Sequence, residues 1–350
     1  MKTRKYRIYP NKIQQQMLAQ YFGNARFVYN RWLIKREELY ERWEKPNYYR
    51  IVKYLPQLKE ENLFLKDSYA QTLQCSLLNL SQWYIRFFKK ISRHPKLKKK
   101  RWVQSIMYPQ KCKLLESWNI FIPKLGEIKT KLSRECIWKI KSVTVTMTCT
   151  WKYFVSILTD YEPRKPIVSG TVGIDIWVKH FAVLSDWTFI DKPYFFWECD
   201  RRLSKANKKL SKKVYGSKNR LKQKKKVSLI YEKITNKRVD FINKVVYNIV
   251  NKYHTIVVEW FNITELLEKN VMSNKIQDAN RWRFRVLLDY KANEVIQIDK
   301  YFPSTKLCSY CWWIQEMNLS DRIYHCKKCW HKIDRDLNAA INILMMGTKS

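Results

Sequence analysis

Hydrophobic and polar positions alternate in TRKYRIYP at the start of the chain, and this pattern predicts a strand. Over residues 11–93 the spacing changes. Apolar residues recur every three to four positions in QQQMLAQYFGNARFVYNRWLIKREELYERW and again in YAQTLQCSLLNLSQWYIRFFKKI, so helices are expected. The basic connector KLKKKRW (96–102) separates these from a region, about 103–160, where period-two alternation returns. There IFIPKLGEIKTKL, KIKSVTVTMT and KYFVSILTDY are rich in Val, Ile and Thr and joined by short turns. PRKP (163–166) marks a domain boundary. Beyond it, TVGIDIWVKHFAVLSDWTFI reads as two apolar strands and about 200–252 as a long basic helical stretch. TIVVE (255–259) is a short buried strand, helices follow, VIQIDKYF is a further strand, and LNAAINILMM is a last helix. Strands separated by helices predict a mixed α/β second half. No internal repeat is present.

Charge changes the picture. The 350 residues carry 69 Lys+Arg against 30 Asp+Glu, a formal net charge of +39. Such a surface repels itself unless a polyanion binds, which makes nucleic acid the expected partner. No run approaches the ~20 apolar residues of a spanning helix, and MKTRKYRIYPNKIQQQ has no signal-like apolar core, so an intracellular, cytoplasmic protein is expected.

Two kinds of candidate chemistry stand out. Cys308, Cys311, Cys326 and Cys329 form C-x2-C-x14-C-x2-C. Two thiolate pairs on tight knuckles can close a tetrahedral zinc site with no open position, hence a structural one. The flanking His325 and His331 are expected at the surface, although either could replace a ligand. Cys75, Cys112, Cys136, Cys149 and Cys199 are scattered and expected to be small buried hydrophobes. The second group is acidic. Asp175 interrupts the apolar VGIDIWVKHFAVL, Glu259 ends TIVVE, and Asp334 and Asp336 precede the last helix. Acids inside apolar strands are costly unless paired or metal-bound. Carboxylates from separate segments are what a nuclease needs to hold Mg²⁺, a hard ion that prefers oxygen.

The blocks VGIDIWVKHFAVLSD, IVVEWFNI, FPSTKLCSYC and CKKCWHKIDRDLNAAINIL resemble the signature blocks of the TnpB family, insertion-sequence proteins related to CRISPR type V effector nucleases. The start YRIYPNKIQQQMLAQYFGNARFVYN and SKNRLKQKKKVSLIYEKITNKRVDFINKVV are similar to the family as well, so the likeness spans nearly the whole chain.

The resemblance implies a multidomain α+β protein. A β-barrel wedge domain (1–10 and 95–165) is interrupted by a helical recognition domain (11–94). An RNase H-like RuvC domain (166–303 and 334–350) follows, with a four-cysteine zinc module (304–333) inserted. It implies Asp175, Glu259 and Asp336 as the catalytic Mg²⁺ ligands, Asp336 being preferred to Asp334 as the second Asp of D-R-D. The implied partners are a guide RNA from the protein's own element and double-stranded target DNA, in a prokaryotic, nucleoid-associated setting. The implied reaction is cleavage beside a short adjacent motif. Lys96, Lys98, Lys99, Lys100, Arg101, Arg201, Arg202, Lys218 and Arg220 are candidates for phosphate contact. Tyr48, Tyr49 and Tyr54 are candidates for base stacking, with core packing expected for most. A non-cleaving RNA-guided binder, whether decayed or regulatory, and a strand-joining transposase are the alternative functions. The latter would need a Tyr nucleophile paired with a His-hydrophobe-His motif, which does not occur.

The chain departs from the family in one systematic way. It has 6 Gly but 15 Trp. Trp118, Trp151 and Trp187 fall at expected hairpin turns, Trp312 and Trp330 directly follow zinc-knuckle cysteines, and Trp177 lies two residues past Asp175. At the three turns glycine is expected because positive φ favours it, and at the knuckles and at 177 because such zinc modules and the family usually carry glycine there. UGA codons, one base from a glycine codon, would account for the pattern if read here as Trp, either because the source organism reads UGA as glycine or because this is a decayed copy translated through stops. A second departure is a short join between LLDYKA and NEVIQID.

Overall fold

The computed structural model describes all residues except 43, 45–47, 135, 137, 163–164, 177–179, 192, 260–280, 300, 319–320 and 349–350. Trp177 and the first part, 260–280, of the helical stretch expected after TIVVE therefore lie outside the described residues. The chain divides into two compact units, 1–163 and 164–350, at the PRKP boundary.

In the first unit, β1 (Lys2–Tyr9) leads into α1 (Lys12–Glu41). Asn11 starts this helix as half of a capping box: its side chain accepts from the Gln14 N–H, and the Gln14 side chain accepts from the Asn11 N–H. Three further α-helices follow, α2 (Tyr48–Lys53), α3 (Leu55–Glu61) and α4 (Ala70–Phe88). They bury Leu33, Ile51, Leu65, Leu73 and Leu77 in a core of their own.

The strands β2 (Gln104–Tyr108), β3 (Lys113–Leu114), β4 (Ile120–Ile122), β5 (Gly126–Lys131), β6 (Ile140–Met147) and β7 (Tyr153–Thr159) join β1 in one seven-stranded sheet. Its order is β2-β6-β7-β1-β5-β4-β3, with every pairing antiparallel. The N-terminal strand is thus central, zipped between β7 and β5, which are far from it in sequence. The expected barrel is not closed by hydrogen bonds among the described residues, since β2 and β3 remain the ends of the order. Even so, Ile8, Ile106, Ile122, Ile128, Val143 and Val155 share one core with Leu18 and Phe22 of α1.

The second unit is built on β8 (Thr171–Asp175), β9 (Ala182–Leu184), β10 (Phe189–Ile190), β11 (Thr255–Glu259) and β12 (Glu294–Ile298), in the order β10-β9-β8-β11-β12. The stretch read as two strands holds three. Beyond the antiparallel β10-β9-β8 meander, β11 runs parallel to both β8 and β12. The basic helical stretch expected over about 200–252 consists of two helices, α5 (Phe195–Ser211) and α6 (Lys218–Val250). They are separated where Gly216 adopts φ 83° and Ser217 caps α6 through the Arg220 N–H. The short join is real: α7 (Arg281–Lys291) is followed after only Ala292 and Asn293 by β12. Last come β13 (Ile323–His325), β14 (Lys332–Asp334) and α8 (Arg335–Thr348).

Alternation along β8 and β11 sorts the two faces of this sheet. Val172, Ile174, Ile256 and Val258 pack with Ile242, Val246, Phe284 and Leu288 of α6 and α7. Gly173 and Val257 point the other way, onto α8. A Cβ on Gly173 would lie 2.2 Å from the Ala340 carbonyl oxygen and 2.6 Å from the Leu344 nitrogen, both backbone atoms. Gly173→Ala is therefore expected to push α8 off the sheet and cost about 1–3 kcal/mol or more. In Gly23→Ala, by contrast, the new Cβ meets nothing nearer than 3.9 Å within α1. That variant should gain about 0.5–1 kcal/mol from reduced chain entropy. Thermal unfolding of the two variants checks both signs.

Five of the suspect tryptophans do occupy the left-handed region: Trp118, Trp151, Trp187, Trp312 and Trp330 have φ between 59° and 68°. The first three close hairpin turns, each N–H donating to the carbonyl three residues back, Leu115, Thr148 and Leu184 respectively. Three lysines, Lys90, Lys111 and Lys124, complete the non-glycine residues with positive φ among those described. Five of eight such positions being Trp, in a chain with 15 Trp among 350 residues, excludes chance placement.

Candidate functional site: a carboxylate cluster beside a four-cysteine centre

Asp175 and Glu259 are the last residues of β8 and β11, neighbouring parallel strands whose register pairs Ile174 with Val258. One residue further on, the two acids stand opposite each other. By parity with Gly173 and Val257 they face the α8 side of the sheet. Asp336 lies in the first turn of α8, the helix packed on that face. All three are 4% exposed. Asp334 does something different. Its carboxylate accepts from the N–H groups of Asp336 and Leu337, which makes it the cap of α8 and turns Asp336 inward.

The electrostatics reflect this crowding. Burial first, then Asp336 and Glu259, push the Asp175 carboxyl up to about 8, against the opposing pull of Arg281 and Arg335. Burial pushes Glu259 up to about 7, while a hydrogen bond from Ser304 works in the other direction. Asp336 is raised as well, by burial, although Arg335, Arg322 and His180 counter it. Arg281 and Arg335, both buried, were not singled out from the sequence. Arg335 was legible only as the residue between two acids, and nothing in NRWRFR distinguishes Arg281.

Among the described residues, Cys308, Cys311, Cys326 and Cys329 are the metal-ligating set whose donor atoms all lie within 4.8 Å of one another. The carboxylates are spread more widely.

The four thiols converge through two knuckles of the same design. The Cys308 N–H donates to the Trp313 carbonyl and the Trp312 N–H to the Cys308 carbonyl; the Cys326 N–H donates to His331 and the Trp330 N–H to Cys326. Cys308 and Cys329 Sγ are 3.7 Å apart, and Cys311 and Cys326 Sγ 3.5 Å. Burial works to raise the Cys326 thiol, but the N–H groups of Cys329 and Lys328 together with the Cys329 and Cys311 thiols bring it down to about 7, whereas burial raises Cys308 and Cys329. The donor set fits zinc.

His331 stacks on Tyr310 and His325 lies against Trp330, so neither joins the cluster. Cys308→Ser is expected to abolish zinc retention and expose 304–333 to protease, read by metal analysis and limited proteolysis. Of the scattered cysteines, Cys75, Cys136 and Cys199 are buried as expected. Cys112 is only half-buried and Cys149 is exposed, because it follows β6 in the turn to β7.

The basic candidates separate as well. Lys96, Lys99, Lys100, Arg101, Arg201, Arg202 and Lys218 are exposed. Lys98 is not a free cation: its ammonium sits 3.9 Å from the Tyr29 ring centre, and burial brings its pKa down to about 8. Arg220 is turned inward to donate to the Leu210 and Lys213 carbonyls at the end of α5. Of the tyrosines, Tyr48 packs on the helical core, while Tyr54, which lies against Trp32, and Tyr49 are both exposed.

Three family models match the chain: one described as "Probable transposase" over residues 154–270, "Cas12f1-like, TNB domain" over 282–343, and "Helix-turn-helix domain" over 1–45. In this structure, residues 2–9 and 12–41 within the last of these form β1 and one uninterrupted helix.

A protein of Escherichia coli K12 named "Putative RNA-guided DNA endonuclease InsQ" is 31% identical over 98% of this chain and 91% of its own length. One from Streptomyces pristinaespiralis named "Putative RNA-guided DNA endonuclease" is 32% identical over 98% and 88%. The fold is that of the protein in a structure titled "Cryo-EM structure of the Cas12f1-sgRNA-target DNA complex", with a TM-score of 0.57 at 14% identity, covering 95% of this chain and 83% of that one. The chain belongs to the TnpB family of transposable-element proteins. Among the described residues, no helix is long and apolar enough to cross a membrane.

Proposed function

We propose that the chain is an RNA-guided DNA endonuclease whose cutting site is Asp175, Glu259 and Asp336. The observation that carries this reading is the meeting of three buried acids on one sheet face, two at the ends of adjacent parallel strands and one at the start of the helix that packs there. The sheet order, an antiparallel meander extended by parallel strands, supports an RNase H-like assignment. The names of the relatives support the choice of guide RNA and DNA as partners.

The three acids would hold magnesium, which, when bound, supplies the positive charge that ionises an attacking water and offsets charge on the leaving oxygen. Oxygen donors fit that ion. Three buried carboxylates facing two guanidiniums, those of Arg281 and Arg335, also leave positive charge to be supplied. Arg335 Nε, 3.6 Å from Asp336 Oδ1, helps fix that carboxylate. The exposed cations of 96–101 and 201–218 hold RNA and DNA through phosphates, and base pairing supplies specificity. Lys98 and Arg220 act there through packing. The four-cysteine centre, loaded with zinc, holds its module in shape.

The test is co-expression with the flanking element, sequencing of the RNA that co-purifies, and a Mg²⁺-dependent assay on plasmids randomised beside the target. Guide-dependent cutting supports the endonuclease. Bound RNA without cutting supports an impaired, RNA-guided binding protein, a reading favoured by the strained tryptophans. Absence of bound RNA overturns both.

A further inference from the structure

Glu259 has a hydrogen-bond partner outside the acid cluster. Ser304 Oγ donates to Glu259 Oε2 at 3.0 Å, with both residues buried. Ser304 belongs to neither the sheet nor the cysteine set; it lies on the strap that leads from β12 into the first knuckle. That strap is clamped onto α8. Asn342 Nδ2 donates to the Ser304 carbonyl at 2.8 Å and to the Leu307 carbonyl at 2.7 Å. Asn338, one turn earlier on α8, donates to the same Leu307 carbonyl at 2.7 Å and accepts from the Ser309 N–H at 2.9 Å. Both asparagines have 0% exposure. They lie at i and i+4, on one face of the helix that begins with Asp336.

Two fully buried amides spent on fixing six residues of irregular backbone, 304–309, need a reason, because burying an amide is costly and its hydrogen bonds then become specific. The strap holds the Ser304 hydroxyl against Glu259 and, two residues before the first asparagine, α8 carries Asp336. Two of the three acids are thus referenced to the same clamp.

From this geometry we infer that Ser304 is a positioning residue. Its hydroxyl holds one oxygen of Glu259, so that the carboxylate is orientated for a divalent cation before the cation arrives. The inference rests on the endonuclease reading of the acids. Groups that orientate a metal-binding side chain in this way change ion affinity by about 10–100-fold when removed. A serine that merely filled space would change stability and leave ion affinity alone.

The experiment uses the full chain with its co-purified RNA, in wild type, Ser304→Ala, Ser304→Thr and Asp175→Ala. Mn²⁺ alone is the probe, titrated by electron paramagnetic resonance, with zinc content and unfolding midpoint recorded for each protein. The Mn²⁺ concentration giving half-maximal DNA cutting is the second readout. Ser304→Ala should weaken Mn²⁺ binding about tenfold or more, with wild-type zinc content. Ser304→Thr, which keeps the hydroxyl, should restore most of it.

Wild-type Mn²⁺ affinity in Ser304→Ala overturns the inference alone. So does a threonine variant as weak as alanine, because packing and not the hydroxyl would then be responsible. If the wild type itself binds no more Mn²⁺ than Asp175→Ala, the endonuclease reading falls and this inference falls with it. Should Ser304→Ala not fold, Ser304→Cys takes its place: a thiol is the weaker donor, and an affinity equal to wild type again overturns the inference.

Discussion

Replacing Trp118, Trp151, Trp187, Trp312 and Trp330 together by glycine will stabilise both units of the protein. Each backbone sits at φ 59–68°, where an L-residue with a Cβ costs roughly 1–2 kcal/mol and glycine costs almost nothing. Little is lost on the other side. The five indoles are 40–72% exposed, so their removal opens no cavity in a core.

Two of the sites are in the first unit and three in the second. At about 1 kcal/mol each and about 2–4 °C per kcal/mol, the midpoint should rise by roughly 4–8 °C in the first unit and 6–12 °C in the second. Scanning calorimetry of the five-fold variant measures this. A midpoint at or below that of the parent would show that the indoles make compensating contacts. Trp118→Ala should recover little, because alanine keeps the Cβ that causes the strain. The same positions test the codon reading. Peptide masses from the protein made in its own cells should show glycine at 118, 151, 187, 312 and 330, and tryptophan at 151, 187 and 330 would remove the reassignment explanation.

The second large effect is on cutting. Asp175→Asn, Glu259→Gln and Asp336→Asn should each reduce metal-dependent DNA cleavage by about 10³-fold or more, since charge stabilisation by a held cation is worth several kcal/mol and each 1.36 kcal/mol is tenfold in rate. Co-purified RNA should be unchanged, because the exposed cations of 96–101 and 201–218 are untouched.

Asp334→Asn provides the contrast. It alters a helix cap that asparagine still supports, so stability should change by less than about 1 kcal/mol and the rate by less than tenfold. Equal loss at 334 and 336 would sink the assignment of roles within the D-R-D block. The series belongs in both the tryptophan parent and the five-glycine variant. If only the latter cuts, the strained turns are what silence the parent.

Much of this organisation was legible in the chain. The period of the apolar positions marked β1, the helical block and the strand-rich block, and the PRKP boundary coincides with the division at 163/164. The four cysteines announced themselves by spacing, because a knuckle is a local object set by three or four consecutive residues. Asp175 and Glu259 were conspicuous for a related reason: an acid inside an apolar strand breaks a local pattern. The anomalous tryptophans were visible because turn chemistry is also local.

What the chain could not disclose was contact between distant segments. The order β2-β6-β7-β1-β5-β4-β3, which puts the first strand in the middle of its sheet, depends on pairings more than 120 residues apart, such as Arg7 with Lys131. Lys98 and Arg220 read as free cations, and only folding brought Tyr29 beneath the one and the end of α5 beside the other. The need for glycine at 173 exists because α8, over 160 residues later, lies on β8. The roles of Ser304, Asn338, Asn342, Arg281 and Arg335 likewise arise from burial, which removes water as the alternative partner and makes each remaining hydrogen bond or charge specific. Local spacing therefore determined which chemistry the protein carries, while the packing of α8 and the cysteine strap against one sheet face decided how its acids are held.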